Sequence, residues 1–475
     1  MACSMACSPT GANTCPAGFF CNSSTMKCDE QCTQGGNQCG GGYTCSPDGQ
    51  CLQNGACQGL QCQQVSCSGG APDATAITGT VFAPNGTLPL YGINVYVPLN
   101  DPGAFPAGLQ CDQCSASLPG NPLVKTVTDE AGNFTLKNMP VGANIPVVIT
   151  TGKWRRIINL PNVGKCTSTP VVAADTTLPK SADDMTPNTK SVDMPKIALT
   201  TGNADSLECL IRKLGVADKE ITNSAGPGHV HFYVGNGVGQ FDNGWPGGSG
   251  QMLTDATPFW SAAASLEAYD IVILSCEGAQ NPQTKPQAAL DAMKAYADAG
   301  GRVFASHWHN IWIEGSTQGG GNQAPAVWPG IATWSNGGNL NNGTIDLIDE
   351  ANNPKGPSFA TWMLNVMGST TRDQIAIQDG TGRSTCNQVD NLKGERWTYV
   401  QGQGGTTQNF QFTTPNESDP SVRCGKVVFS DMHVSGGPMN GNYPSSCGSS
   451  LTLTPQEKAL AFMFFDIASC VSNIP

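Results

Sequence analysis

The residues best equipped for chemistry are five histidines, all of which lie beyond residue 228. They fall at three places: His229-Val230-His231, His307-Trp308-His309 and Asp431-Met432-His433. Each place begins or follows an apolar run of strand character, and within a strand the i, i+2 spacing sends two side chains to one face. Imidazoles gathered with a carboxylate such as Asp431, Asp242 or Glu277 could hold zinc or another divalent ion that keeps one position open for water. On that reading His229, His231, His307, His309 and Asp431 are the metal ligands. A histidine can equally serve as general base beside a nucleophile, which makes His307, His433, Cys276 and Ser306 the catalytic candidates. A third reading gives these residues no chemistry and leaves them as hydrogen-bonded crevice residues on a non-catalytic scaffold. The cofactor stays open, with a divalent metal as its candidate.

The elements that would position them read as α/β. The stretch Gly300-Gly301-Arg302-Val303-Phe304-Ala305-Ser306-His307 joins a helix end to a short apolar strand that stops at the first histidine. Ala268–Cys276 is continuous and apolar, as a strand buried on both faces should be. Helices are expected at Ala204–Leu214, Gln287–Ala299, Ser358–Met367 and from Thr454-Pro455 to about Cys470; Thr454 caps the last and Pro455 fits its first turn. Further strands are expected at Ile197–Leu199, His229–Val234, Ile375–Ile377, Trp397–Val400 and Val427–Ser430. Strands alternating with helices imply a mostly parallel sheet, whose ligands bind beyond the carboxyl ends of the strands.

Upstream the grammar differs. At 475 residues the chain is too long for one ordinary core. Twelve of its 21 cysteines fall in the first 67 residues, where there is no histidine and most spacings are five to seven residues. Disulfides, and so an extracellular or cell-surface location, fit this better than zinc knuckles do. Within this segment Cys15-Pro16-Ala17-Gly18-Phe19-Phe20-Cys21 returns as Cys39-Gly40-Gly41-Gly42-Tyr43-Thr44-Cys45, an internal repeat. Residues 76–166 alternate apolar and polar with tight turns, as a half-buried β unit does. Cys111-Asp112-Gln113-Cys114 sits in its long loop as a staple, with Cys166 as a candidate partner; Cys276 has Cys209 as a candidate mate. Residues 167–195, rich in Thr, Pro, Asp and Ser, read as a linker.

Charge and length exclude some partners. A formal charge of −12 is wrong for a phosphate-binding surface, so nucleic acid is not expected. No apolar run of about 18 residues is present, so no transmembrane segment is expected. Met1–Cys7 has neither a basic start nor an apolar core, so a secreted protein would be a mature or trimmed form. Segments 315–344 and 380–421 read as insertions rich in Gly, Asn, Gln, Ser and Thr. Trp312, Trp328 and Trp334 lie in or beside the first; with neutral amides they suit sugar recognition, or they simply cover the sheet.

Three resemblances go with these patterns. The repeat in 1–75 resembles small extracellular knot modules of the epidermal-growth-factor or dickkopf kind, which implies a disulfide-rich stalk. Gly79-Thr80-Val81, Pro84-Asn85-Gly86, Thr128-Asp129-Glu130-Ala131-Gly132-Asn133-Phe134 and Met139-Pro140-Val141-Gly142 resemble a carboxypeptidase-regulatory-like domain, which implies a prealbumin-like β-sandwich of accessory role. Tyr269–Ser275, Tyr296–Gly301, Arg302–His307 and Gly425–His433 are similar to the class I glutamine-amidotransferase-like superfamily, trehalose-utilisation-type branch. That resemblance implies a flavodoxin-like α/β fold over 196–475, with His307 where amidotransferases carry the nucleophilic cysteine and His433 at the superfamily's late histidine. Glutaminase activity is therefore not expected. The functional expectation is a carbohydrate-associated surface protein, hydrolytic if it is an enzyme, with glycan or cell-surface partners. Its rival is a non-enzymatic structural or adhesive protein.

Overall fold

The computed structural model describes residues 59–67, 74–378, 381–401, 406–434 and 441–471, together with four short strands nearer the N-terminus. Those four strands follow the internal repeat. Phe19–Asn22 pairs with Lys27–Glu30, and Tyr43–Cys45 with Cys51–Gln53, so each copy forms one antiparallel hairpin. The cysteine pairing expected for 1–58 lies outside the described residues.

The next unit is all β. In chain order its strands are β1 (Ala76–Thr80), β2 (Asn94–Pro98), β3 (Pro122–Val127), β4 (Asn133–Lys137), β5 (Ile145–Thr151), β6 (Trp154–Leu160), β7 (Ser168–Pro170) and β8 (Thr189–Asp193). They form a five-stranded sheet ordered β8-β6-β5-β2-β3 and a three-stranded sheet ordered β7-β1-β4. Val95, Val147 and Ile149 of the first sheet and Ile77, Phe134 and Leu136 of the second share one hydrophobic cluster. The stretch 167–195 is not a free linker. It supplies β7, parallel to β1, and β8, antiparallel to β6, and buries Leu178 and Met194. Arg156 holds it down, donating to the Thr177 and Asp184 carbonyls and to the Asp184 carboxylate. Sparse apolar content hid these contacts, because backbone ladders and one buried guanidinium do the fixing.

The C-terminal unit adds β9 (Ile197–Thr201), β10 (Ile221–Asn223), β11 (Val230–Val234), β12 (Ile271–Leu274), β13 (Arg302–Ser306), β14 (Ile345–Ile348), β15 (Gln374–Ala376), β16 (Glu395–Val400), β17 (Thr407–Thr414) and β18 (Gly425–Ser430). Their sheet order is β10-β11-β9-β12-β13-β18-β17-β16-β14-β15, with the two-residue strand Thr254–Asp255 paired beside β11. The pairs from β10 to β18 are parallel, whereas those from β18 to β15 are antiparallel. A mostly parallel sheet therefore describes only the half that carries the histidines. The expected insertion 380–421 contributes β16 and β17 to the other half.

Four helices cover this sheet: α1 (Leu207–Lys213), α2 (Gln287–Asp298), α3 (Gly356–Asn365) and α4 (Pro455–Ala468). The Thr454 capping box opens α4, and Phe462, Phe464, Phe465 and eight further residues of the helix are buried. A helix apolar on nearly all sides needs partners on nearly all sides. Phe464 packs on Phe304 of the sheet, whereas Phe462 stacks on Tyr91 and Phe465 meets Trp154 of the β unit. The two units thus share one core across α4. Gly425 shows how tight the opposite layer is. A Cβ there would lie 1.9 Å from the Ala297 carbonyl oxygen near the end of α2. Gly425→Ala is expected to cost about 1–3 kcal/mol by overpacking, read as a fall in midpoint on chemical denaturation; an unchanged midpoint would show that α2 can slide.

Disulfides join the parts: Cys67–Cys166, Cys111–Cys424, Cys114–Cys470 and Cys209–Cys447. Cys111 and Cys114 are staples, but their partners lie in the C-terminal unit and Cys166 pairs with Cys67. Cys209 is likewise taken by Cys447, which leaves Cys276 a buried free thiol, as is Cys386. Among the described residues no helix is long and apolar enough to cross a membrane.

Candidate functional site

Register alone brings three of the candidate residues together. β12, β13 and β18 are adjacent and parallel, with Leu274 level with Ala305 and Ser306 level with Ser430. Cys276, His307 and His433 each follow the carboxyl end of one of these strands by a residue or a few, so all three emerge at one rim. Cys276 Sγ lies 3.3 Å from His307 Nδ1, and the His307 and His433 rings are 5.1 Å apart. One potential ligand atom from each of the three lies within 4.8 Å of the other two. His307 begins a short 3-10 turn, His307–Asn310, with φ of 44°. A non-glycine residue held in that left-handed region is strained, and such strain gathers where a side chain must be aimed. Both His307→Gly and His307→Ala delete the ring, but glycine also relaxes the backbone. The glycine variant is expected to be the more stable by about 1 kcal/mol, a difference thermal unfolding resolves; equal stabilities would remove the strain.

Burial keeps the trio neutral. It pushes the Cys276 thiol up to about 12 and the His307 imidazolium down to about 3, the latter helped by Arg383. His433 is held well below its usual range by burial, with the Arg383 charge acting in the same direction. The thiol and His307 Nδ1 are hydrogen-bonded, with the Gly278 N–H also directed at the sulfur. Both ring nitrogens of His433 are buried and close no full hydrogen bond among the described residues, although the Ala204 backbone interacts with the ring. Buried polar groups are rarely left so, because the desolvation cost goes unrecovered. In front of the trio is a cavity of about 350 Å³, lined by His307, Trp308, Asn336, Asn339 and Arg383 among others.

The remaining candidates are used structurally or stand elsewhere. Ser306 donates to Asp205, 2.7 Å away. His309 donates from Nε2 to the Ser275 carbonyl and accepts at Nδ1 from the Trp312 indole. Both its nitrogens are thereby occupied, and its pKa lies well below the usual range through burial. Asp431 accepts from the Thr385 and Cys386 backbone N–H groups and from the Thr385 hydroxyl. His229 and His231 belong to the amino end of β11, away from the rim. His229 pairs with Glu220, and His231 Nδ1 is hydrogen-bonded to the Tyr269 hydroxyl. A five-member metal set is thus not assembled, because strand direction sends His229 and His231 to the opposite edge. Of the carboxylates offered with them, Asp242 caps Ser445 and Glu277 pairs with the buried Lys285.

Sequence reasoning missed Asp205 and Glu208, which stand behind the rim. Asp205 accepts from the Ser206 and Val434 N–H groups besides Ser306, and burial pushes it up to about 6. Glu208, fully buried, is pushed up to about 8 by burial and then by Asp205. The available signal was two acids at the start of a helix directly after a buried strand. Trp312 and Trp328 are buried in the core under the insertion, and Trp334 stacks edge-on to Phe429. They cover the sheet, and the aromatic that faces the cavity is Trp308.

No family model matches the chain, and no curated protein matches it. Among solved structures it is similar to a cytoplasmic protein from Salmonella typhimurium, at 12% identity and a TM-score of 0.31, over 58% of this chain and 99% of that one. It is also similar to a ThuA-like protein from Bacteroides uniformis, at 11% identity and a TM-score of 0.30, over 59% of this chain and 94% of that one.

Proposed function

We propose that the protein is an extracytoplasmic, carbohydrate-associated hydrolase whose C-terminal unit, of flavodoxin-like and amidotransferase-like type, holds a divalent ion on Cys276, His307 and His433. The β unit is read as a prealbumin-like sandwich that supports it, and the cysteine-rich segment as its stalk. The observation that carries the reading is the clustering of a buried thiol and two buried imidazoles, with one potential ligand atom of each within 4.8 Å of the other two. One sulfur and two nitrogens suit zinc, whose bond lengths imply ligand separations of about 3.5 Å in a tetrahedron; the 3.3 Å between Cys276 Sγ and His307 Nδ1 matches that for one pair, and the His433 ligand atom lies within 4.8 Å of both. Three protein ligands leave a fourth position. An ion there would supply a Lewis acid and a bound water of lowered pKa. Of the trio only His307 borders the cavity, so that side is where a substrate would meet the site. Trp308 offers an aromatic face, Asn336 and Asn339 offer neutral amides and Arg383 offers a guanidinium donor, groups that can each meet a polyol. Disulfides spread over the whole chain support an oxidising compartment.

The test is metal analysis of protein made in an oxidising compartment, exposed to zinc and desalted. About one equivalent is expected in the wild type and none in His433→Ala, whose folding is checked by near-ultraviolet circular dichroism. Turnover on an oligosaccharide and glycoside panel should then vanish in the variant. A zinc-free wild type would sink the centre. It would favour the rival reading, a non-enzymatic surface protein using the unit as scaffold, which is supported by the structural engagement of Ser306, His309 and Asp431.

A further inference from the structure

A second concave site lies far from the histidine rim. It is a cavity of about 280 Å³ between the β unit and the amino-terminal edge of the large sheet, where Asp270 precedes β12 and Arg302 opens β13. We propose that this cleft, floored by Arg155 and walled by residues 105–119, is a binding site for a small carboxylate carried on an apolar body.

Arg155 carries the argument. Its side chain is 2% exposed, and Nε and Nη2 are engaged by Asp193, with Nη2 also donating to the Gly103 carbonyl. Phe105 covers the guanidinium at 4.1 Å. Nη1 has no partner. A buried guanidinium N–H left unmade is a desolvation loss that a carboxylate oxygen would recover through a charge-assisted hydrogen bond.

Charge agrees. Lys125, Lys153, Arg155 and Arg302 line the cleft against Asp112 and Asp270, an excess of cations in a chain whose net charge is −12. Lys153 is tied to Asp270 across the two units at 2.6 Å, which takes one charge of each sign and leaves Lys125, Arg155 and Arg302 against Asp112. Apolar surface comes from Leu109, Leu118 and Tyr96, whose hydroxyl is turned away to the Pro119 carbonyl. The lining thus sets apolar faces beside charged groups, and a small amphiphilic ligand can use both. The wall is preformed, because Cys111 and Cys114 bolt it to Cys424 and Cys470. A fixed wall spares the ligand the cost of ordering it.

The experiment uses the full chain with its disulfides intact. 3-Phenylpropionate is titrated calorimetrically, with 3-phenylpropan-1-ol as its uncharged counterpart. The acid should bind saturably at one site and the alcohol at least tenfold more weakly. Arg155→Lys, which keeps the charge but loses the fork, should weaken the acid at least tenfold. Ala116→Trp fills the cleft from its exposed rim without touching Arg155 and should abolish binding, which keeps the test decisive if Arg155→Lys does not fold. His307→Ala should bind as the wild type does, so this result stands apart from the fate of the metal centre. No saturable binding by the acid, equal binding of the alcohol, or wild-type affinity in Ala116→Trp would each overturn the proposal and leave solvent as the occupant.

Discussion

Replacing Cys111 with Cys424, and Cys114 with Cys470, by serine pairs should lower the free energy of unfolding by about 2–5 kcal/mol for the first pair removed. These bonds span 313 and 356 residues. Closing so long a loop removes much conformational freedom from the unfolded chain, and the gain grows only logarithmically with length. The second tie adds less than the first, since with one in place the other closes only the short path from Cys424 to Cys470 and the 111–114 turn. The folded state loses something as well: Val471 donates to the Asp112 carbonyl and Cys114 to the Val471 carbonyl, contacts that hold the C-terminal end against the β unit. Denaturation with and without reductant measures the effect. Reductant also opens Cys67–Cys166 and Cys209–Cys447, so it should bring the wild type at least as low as the serine variants. If removal of both ties changes nothing, the core shared across α4 holds the units together alone, and the cleft wall is mobile.

How far the sequence discloses this arrangement depends on whether burial is achieved by apolar side chains or by polar ones. β12 and β13 were legible because Ile271–Leu274 and Val303–Ala305 are apolar on both faces, and strand direction then fixes which residues stand at the rim. β17 was not legible. Its sequence TQNFQFTT is mostly polar, yet all eight residues are buried. Phe410 and Phe412 enter the core on one face, whereas Asn409 donates to Thr398 and Gln411 to Glu395 on the other. A polar residue buried against another polar residue leaves no hydrophobic period to read. The same holds for 167–195, and for Asp205 and Glu208 beneath the rim. His229 and His231 misled for a different reason. Spacing reports that two side chains share a face, but which end of the strand they occupy is decided by the direction of the neighbouring strands. Cysteine partners were beyond reach because the ties run between units, and composition says nothing of which loop meets which terminus.

Glu208→Gln should stabilise the protein at alkaline pH and leave it unchanged in acid. The carboxyl is fully buried. Among the described residues its Oε1 closes no hydrogen bond, its other oxygen receives a long contact, 3.5 Å, from the Ser275 hydroxyl, and its own backbone N–H offsets burial only in part. Burial therefore raises it from 4.5 to about 8. Between those values the folded protein keeps a proton that the unfolded chain has released, so the unfolded state binds fewer protons and stability falls as pH rises. The slope approaches about 1.4 kcal/mol per pH unit inside the window, and the loss totals a few kcal/mol above it. Below pH 4.5 both states are protonated and the term disappears. Glutamine keeps the shape and a hydrogen-bonding group but has no proton to lose, so the difference between variant and wild type should grow from near zero at pH 4.5 to its full size above about pH 8. Denaturation midpoints across that range decide the matter. Parallel curves would mean that Asp205 or solvent reaching the pocket already stabilises the ionised form, and a crossing in the opposite sense would mean that the carboxylate, not the acid, is the folded species.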